Sequence, residues 1–273
     1  MIRDITLGQY YQGDSIVHKL DPRVKLISTI VYIVSLFLYT NHVVVYGLAL
    51  LFLACCISLS KVPVKFILRG LKAIVFLLLF TSVFNLFLTK GEPLVTLWKL
   101  TITKEGLVNS IFIAVRLMLL IVGSSLMTLT TTPNQLTDGL EKILKPLQKI
   151  HVPVHEIAMM MSIALRFIPI LLEETDKIMK AQMARGADFE SGNLMKKIKA
   201  MIPLLVPLFI SAFRRANDLA MAMEARCYQG GDGRTKMKPL VYKKRDAVAY
   251  LVLVLYMVAI CVTGKYLTLP LPF

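Results

Sequence analysis

The chain has 273 residues, of which 56% are hydrophobic, and its mean hydropathy is +0.66. This composition is more apolar than that of soluble globular domains and favours a polytopic membrane protein. The formal net charge of +15 could suggest a nucleic-acid partner, but the basic residues lie beside long apolar runs. Because Lys and Arg accumulate on the cytoplasmic flanks of membrane helices, membrane topology explains the charge better.

Five apolar segments approach or reach the length of about 20 residues that a helix needs to cross a bilayer. They cover residues 24–40, 43–60, 70–89, 110–130 and 247–262. The polar opening before the first segment does not have the pattern of a cleavable signal, so we expect the first span to be retained. The sequence therefore predicts an all-α polytopic membrane protein with about five transmembrane helices.

The charges that flank these segments predict their orientation. Arg23 and Lys25 lie at the start of the first span, and four basic residues lie between the second span and the first residues of the third: Lys61, Lys65, Arg69 and Lys72. Positive flanks stay in the cytoplasm, so the N-terminus is predicted to be cytoplasmic and the short turn at Asn41 and His42 external. Residues 131–246 then lie in the cytoplasm, and the C-terminal LTLPLPF tail lies outside.

The cytoplasmic stretch has apolar residues at helical spacing in two long segments. Their more apolar middles, 156–172 and 201–213, could be two further spans. We favour amphipathic helices on or shallowly in the inner face, because charged residues interrupt or directly follow these middles and three prolines would kink them. The charged residues are Arg166, Glu173, Glu174, Arg214 and Arg215, and the prolines are Pro169, Pro203 and Pro207. The predicted domains are a four-span membrane domain at 1–131, a cytoplasmic helical domain at 132–246 and a last span within 247–273.

Each amphipathic segment ends in Ala-Arg followed by a small residue. The two copies are Ala184, Arg185 and Gly186, and Ala225, Arg226 and Cys227. Alanine keeps the backbone helical up to each arginine, and a left-handed glycine can then end the helix, at Gly186 in the first copy and at Gly230 and Gly231 shortly after the second.

A single arginine at such a place would be an ordinary C-terminal helix charge, favoured by the helix dipole. The repetition favours an additional role, in which each helix tip enters a groove on a partner and its guanidinium binds carboxylates there. Two similar tips suggest a partner with two similar surfaces, such as a dimer of homologous subunits.

Four segments carry a resemblance to a known family: LDPRVKL at 20–26, ALRFIPIL at 164–171, ARG at 184–186 and EARCYQGGDGRTKMKPL at 224–240. They span nearly the whole chain and resemble the transmembrane (T) component of energy-coupling factor (ECF) ABC-type transporters, the EcfT/CbiQ family. The resemblance implies a membrane-embedded subunit of a vitamin or micronutrient importer. Such a subunit transmits the conformational change of ATPases to a substrate-binding S component.

The resemblance also implies partners and site residues. In that family the two motifs close long coupling helices, and each docks on one of two homologous ABC-type ATPase subunits. Carried over, the six residues of the two copies form the ATPase-docking site. The two copies differ at the last position, where the second has Cys227, with a small thiol side chain, and the first has Gly186. The implied chain is non-catalytic, lies in a bacterial cell membrane and binds no cofactor itself. It lies beside one S component, and the resemblance to shared T components suggests that this partner is exchangeable. ATP and Mg would be bound by the ATPases.

Other candidate sites are weaker. HVPVHE at 151–156 places two histidines four residues apart, but Pro153 disfavours a regular helix there and a third metal ligand is not evident. Arg116, within the fourth span, is expected to snorkel or to pair with a neighbouring helix. Two alternatives are a solute permease that works without ATPases and a membrane-embedded enzyme acting on lipids or peptides, although no catalytic cluster is evident.

Overall fold

The structure is a computed structural model of the chain and describes residues 10–39, 42–88, 93–97, 100–187, 189, 194–231 and 237–266. Parts of the predicted features lie outside these residues: Asn41 of the external turn, the last residue of the predicted spans 24–40 and 70–89, residues 232–236 of the EARCYQGGDGRTKMKPL segment, and the C-terminal LTLPLPF tail.

The described chain is helical, with one short hairpin. In chain order its helices are α1 (Pro22–Leu38), α2 (Val43–Ser60), α3 (Val64–Leu88), α4 (Lys104–Thr130), α5 (Pro133–Leu144), α6 (Val154–Ala184), α7 (Leu194–Glu224) and α8 (Lys244–Tyr266). A 3-10 helix covers Lys145–Ile150. The antiparallel strands β1 (Pro93–Leu97) and β2 (Leu100–Thr103) lie between α3 and α4. The predicted all-α class is confirmed, and this hairpin is an addition to it.

Two of the membrane helices begin at side-chain caps that the sequence supplies. Asp21 precedes α1 and accepts a hydrogen bond of 2.9 Å from the Arg23 amide, with Pro22 in the first turn. Thr103 precedes α4 and accepts one of 3.1 Å from the Gly106 amide. A cap of this kind satisfies an amide that has no partner within the helix, and it sets where each helix starts.

The described residues form two compact units, each considered separately below. The membrane unit consists of the described residues of 8–139 and 240–273, and it includes α1 to α4 and α8. The helix-pair unit consists of the described residues of 140–239, and it includes α6 and α7. Helix α5 carries the chain from the first unit to the second, between Gly139 and Leu140.

The core of the membrane unit is contributed by α1, α2, α4 and α8. Its buried members are Tyr32, Leu36, Val45, Tyr46, Ala49, Leu53, Leu119, Leu126, Leu253, Tyr256 and Ile260. Ser35 shares a hydrogen bond of 2.8 Å with the Tyr256 hydroxyl inside this core, so a buried polar pair is satisfied. Arg116 donates from Nε to the Tyr46 hydroxyl at 2.8 Å, which confirms its predicted pairing with a neighbouring helix.

Several helices are suited to a bilayer. Among the described residues, α2, α4, α6 and α8 are long and apolar enough to cross a membrane, and α3 contains a shorter apolar stretch, Ile74–Phe87. Helix α1 has 17 residues.

Helix α8 exposes apolar residues on its outer surface: Leu251, Val254, Leu255 and Val258. Exposed apolar faces of this size are suited to lipid or to a membrane partner. The predicted multi-pass membrane protein is confirmed. Helix α6 is long and apolar enough to cross a membrane, although its residues were predicted to lie on the inner face.

Candidate docking site at two helix tips

Helices α6 and α7 pack against each other in antiparallel orientation. Glu174 of α6 binds Arg215 of α7, with 2.8 Å between Oε2 and Nη2. Eight residues further along α6, Gln182 donates from Nε2 to the Pro203 carbonyl at 3.3 Å, a contact that lies earlier in α7. As the chain advances along α6, its partners therefore move backwards along α7. The C-terminal ends of the two helices point in opposite directions.

The two arginines that follow these helix ends are equally far from the Glu174–Arg215 pair. Arg185 comes eleven residues after Glu174, and Arg226 comes eleven residues after Arg215. At a rise of about 1.5 Å per residue, each arginine lies roughly 16 Å along its helix from that pair. The two tips are therefore separated by roughly 30 Å.

The first tip ends in a Schellman motif, the paired hydrogen bonds that close many helices at a left-handed residue. Gly186 has φ +88. Its amide donates to the Met183 carbonyl at 3.0 Å, and the Ala187 amide donates to the Gln182 carbonyl at 3.0 Å. Arg185 is thus the last residue before the chain turns away.

The second tip has the same geometry, with a different left-handed residue. Cys227 has φ +56. Its amide donates to the Glu224 carbonyl at 2.8 Å, and the Tyr228 amide donates to the Met223 carbonyl at 3.1 Å. Gly230 also has a positive φ, +96, but it follows the cap hydrogen bonds. The prediction that Gly230 and Gly231 end this helix is corrected, because Cys227 itself takes the left-handed conformation.

The structure places each set of three predicted docking residues together at its tip, and all six are exposed: Ala184, Arg185, Gly186, Ala225, Arg226 and Cys227. Cys227 is a free thiol. Apart from its neighbours in the chain, no atom of the described residues lies within 4 Å of the position that a Gly186 Cβ would occupy. The repeated Ala-Arg-small pattern therefore encodes one repeated shape, an exposed arginine at a blunt helix end.

Comparison with known proteins decides the family. A family model described as CbiQ, cobalt transport protein, matches residues 13–237. The chain belongs to the CbiQ family. An energy-coupling factor transporter transmembrane protein EcfT of Clostridium kluyveri is 58% identical over 253 residues, which cover 92% of this chain and 93% of that protein.

Two other relatives carry the same description. The EcfT protein of Bacillus subtilis is 51% identical over 247 residues, covering 90% of this chain and 93% of that protein. The EcfT protein of Lactococcus lactis is 46% identical over 265 residues, covering 97% and 99%. The predicted resemblance is confirmed, and this CbiQ-family chain is a transmembrane component of an energy-coupling factor transporter.

In this CbiQ-family chain, the residues after the second tip are fixed against the start of α6. A Cβ on Gly231 would collide with the His155 imidazole, so only glycine allows this close approach. His155 in turn shares a hydrogen bond of 3.0 Å between its Nδ1 and the Glu141 carboxylate. The HVPVHE segment thus supplies a support for the second tip, with α6 beginning at Val154 directly after Pro153.

The contact between α6 and α7 includes a polar cluster that the sequence did not predict as a pair. Arg215 makes two hydrogen bonds to Glu174 Oε2, at 2.8 Å and 3.2 Å, and Ser211 donates to the other carboxylate oxygen. The carboxylate therefore has partners on both oxygens. Beside it, a groove is lined by apolar side chains and by three alanines at intervals of four: Ala212, Ala216 and Ala220. Charged residues that interrupt the apolar pattern of both helices are the sequence signal for this cluster.

Proposed function

We propose that this chain is the energy-coupling subunit of an ATP-driven vitamin or micronutrient importer, and that its two arginine tips dock on two homologous ABC-type ATPases. The observation that carries the proposal is the repetition of one helix end, with the same cap and the same exposed arginine, at opposite ends of an antiparallel pair. Family membership and the names of the relatives support it. A dimer of homologous subunits offers two equivalent grooves, and this chain offers two equivalent tips.

Arginine is well suited to such a tip. Its planar guanidinium presents five donors and can bind a carboxylate through two parallel hydrogen bonds. At the C-terminal end of a helix the dipole is negative, which favours the positive charge before any partner is bound. The left-handed residue after each arginine turns the backbone away at once, so the guanidinium has room to enter a groove.

The proposed mechanism uses the tips to transmit energy and the ATPases to supply it. ATP and Mg bind to the ATPases, which move together. The tips, roughly 30 Å apart along the helix pair, are then displaced relative to each other and reorient the S component. Inverting a conformational ratio from 1:99 to 99:1 takes about 5.5 kcal/mol, whereas a charge-assisted hydrogen bond contributes roughly 1.5–3 kcal/mol. Two tips can transmit much of that energy, but its source is ATP on the ATPases. In this proposal the chain itself is non-catalytic.

The apolar face of α7 is the proposed contact for the membrane-embedded S component. It exposes large side chains along the middle of the helix: Met201, Ile202, Leu205, Phe209, Ile210 and Phe213. Such a surface requires lipid or an apolar partner, and methionine adapts to partners of different shape. This adaptability is consistent with exchangeable S components.

We further propose the topology that the tips need. An N-terminus in the cytoplasm, supported by Arg23 and Lys25 at the start of the first span, places residues 131–246 and both tips on the side where ATP is available. The C-terminus then lies outside.

The test reverses the charge of both tips. Arg185→Glu with Arg226→Glu should abolish copurification of ATPases from membranes in mild detergent, because each groove would then face a carboxylate. The control, Lys180→Glu with Arg214→Glu, makes the same change in net charge at exposed positions of the same helices and should retain both ATPases. Each single tip variant should weaken one docking contact only.

Two outcomes would contradict the proposal. One is a charge-reversed chain that still recovers both ATPases at the wild-type ratio. The other is a wild-type chain that is folded and transports substrate with no ATPase bound, which would favour a permease. Phosphatase, transferase or protease activity in the isolated subunit would favour the enzyme alternative.

A further inference from the structure

We infer that the LDPRVKL segment, residues 20–26, is the positioning element that holds both links between the membrane unit and the helix-pair unit. This inference rests on the proposed function, because it concerns how movement of the tips reaches the membrane helices. Within the described residues the chain passes between the units twice, between Gly139 and Leu140 and between Pro239 and Leu240. On the membrane-unit side, both links are held by the same seven residues.

The first link is held by close packing. Gly139 of α5 is buried, and a Cβ on it would lie 3.2 Å from Pro22 Cβ and 3.3 Å from Leu26 Cδ1. These distances are tighter than most Cβ contacts, so any larger side chain at position 139 would push α5 away from the first turn of α1. The absence of a side chain at this position is what lets the link lie directly on the LDPRVKL segment.

A buried lysine fixes the chain just before this link. The Lys25 side chain reaches the end of α4, where its ammonium donates to the Thr130 carbonyl at 2.8 Å, and it donates to the His18 carbonyl at 3.0 Å. Lys25 is 6% exposed, and a buried ammonium is stable only when it is well hydrogen-bonded. The lysine therefore holds the end of α4, from which the chain enters α5 at Pro133.

The second link is held by Arg23. Its Nη2 donates to the Leu240 carbonyl at 3.2 Å, and its guanidinium lies 3.8 Å from the centre of the Tyr242 ring. Asp21 orients the guanidinium through two hydrogen bonds, 3.0 Å to Nε and 2.8 Å to Nη2. Leu240 is the first residue of the membrane unit after the link, so Arg23 binds the chain where it returns from the second tip.

Asp246 completes the attachment. Its side chain is buried and accepts from the Asp21 amide at 2.9 Å and from the Lys243 amide at 2.8 Å. The start of α8 is thereby joined to the start of α1 across most of the chain's length. A single carboxylate satisfies one amide on each side, so loss of either contact would leave a buried polar group without a partner.

Two parts of the chain therefore have different roles. The arginine tips meet the ATPases, and the LDPRVKL segment holds the two points at which the chain enters the membrane unit. Its residues act through Gly139 and Leu240 and are positioning residues. When one attachment is loosened, the tips should still respond to ATP, but the response should no longer reach the membrane unit.

The experiment compares amide hydrogen exchange with and without Mg-ATP in the purified complex of this chain with its ATPases and S component. Two variants loosen one link each: Gly139→Val crowds the first, and Arg23→Gln removes the grip on the second. The matched control for Gly139→Val is Gly47→Val, at a helical glycine whose Cβ position has no atom of the described residues within 4 Å apart from its own helix backbone. The matched control for Arg23→Gln is Lys19→Gln, at a well-exposed ion pair with Asp14. Comparing the two nucleotide states within each variant cancels any static effect of the substitution.

In the wild type and in both controls, Mg-ATP should change exchange at the two tips and in α1 and α8. In Arg23→Gln and Gly139→Val the change at the tips should persist, whereas the change in α1 and α8 should fall at least about fivefold, the lower end of coupling between sites. An undiminished ATP response of α1 and α8 in both variants would overturn the inference. So would a wild-type complex with bound ATPases and no ATP response in these helices.

Failure of the inference is distinguishable from failure of the proposed function, because ATPase copurification is measured on every sample. If the wild type binds no ATPase, the proposed function fails; if the variants bind ATPase and transmit the response, only the inference fails. Should Gly139→Val not accumulate in membranes, Gly139→Ala is the milder variant, since it requires its neighbours to move by a few tenths of an ångström. For Arg23, the conservative Arg23→Lys should restore part of the response by donating to Leu240, while it loses the two-point contact with Asp21.

Discussion

Replacement of Gly186 by alanine tests whether the left-handed residue holds the first arginine tip in shape. Gly186 has φ +88 and open space around its Cβ position, so the cost of a side chain comes from crowding against its own backbone and not from contact with other residues. An L-residue in this region costs about 1 kcal/mol. Since about 1.4 kcal/mol corresponds to a factor of ten, the opening equilibrium of the last turn of α6 should shift about fivefold. Arg185 would then be presented on a looser helix end.

The second tip provides the reverse substitution. Cys227 already bears the cost of a side chain at φ +56, so Cys227→Gly should tighten the end of α7. The gain should be of the same size, about 1 kcal/mol, because the substitution removes the cost of a side chain in the left-handed region. Cys227→Ala keeps a Cβ in the left-handed region and should leave the tip unchanged.

Amide hydrogen exchange of the purified subunit measures these effects directly, because the amides of Gly186 and Ala187 donate the cap hydrogen bonds of the first tip. Their exchange should accelerate about fivefold in Gly186→Ala, since loss of about 1 kcal/mol changes the open population by that factor. The amides of Cys227 and Tyr228 should slow in Cys227→Gly. Unchanged exchange at the first tip in Gly186→Ala would refute the argument that the left-handed residue maintains its shape.

Two further predictions concern the polar contacts. Glu174→Ala should lower the free energy of unfolding of the helix pair by about 1 kcal/mol or less, because the ion pair that it removes is partly exposed. The control Glu173→Ala changes an exposed neighbour and should leave thermal unfolding unchanged. Equal losses in the two variants would contradict a specific contact. Burial acts to raise the pKa of Asp21, but hydrogen bonds from Arg23 outweigh it and hold the pKa below its ordinary value of 3.8. Because this pKa is lower in the folded state, the ionised Asp21 stabilises the protein above about pH 3.8, and the contribution is lost as the pH falls through the folded pKa. Asp21→Asn lacks this contribution. Its unfolding temperature should therefore fall less than that of the wild type between about pH 6 and pH 3.

The features that the sequence predicted well depend on local patterns. Helix α2 covers the predicted residues 43–60 because an uninterrupted apolar run of that length has few alternatives. The arginine tips were predicted from Ala-Arg-small, in which helix propensity and a following small residue act within a few positions. The left-handed conformation of Cys227 was missed because glycine is the usual residue there, and Gly230 and Gly231 follow closely.

The prolines of α7 show why other features were not accessible. Pro203 and Pro207 lie inside α7, and the helix continues through both. Pro207 has no amide to donate to the carbonyl of Pro203, four residues earlier, and that carbonyl instead accepts from the Gln182 side chain of α6. The partner comes from another helix, so no local pattern contains it. The same holds for Asp246, whose contact with Asp21 joins residues at opposite ends of the chain.

The equal spacing of the tips acquires meaning only with the antiparallel packing. Each arginine comes eleven residues after its member of the Glu174–Arg215 pair, so a rotation about that contact displaces both tips by equal amounts in opposite directions. Two homologous ATPases that move towards each other would apply displacements of that kind. The carboxylate is bound by Ser211 as well as Arg215, so this contact holds the two helices together between the tips. A helix pair held at its middle and presented at both ends is therefore suited to convert the approach of two subunits into rotation.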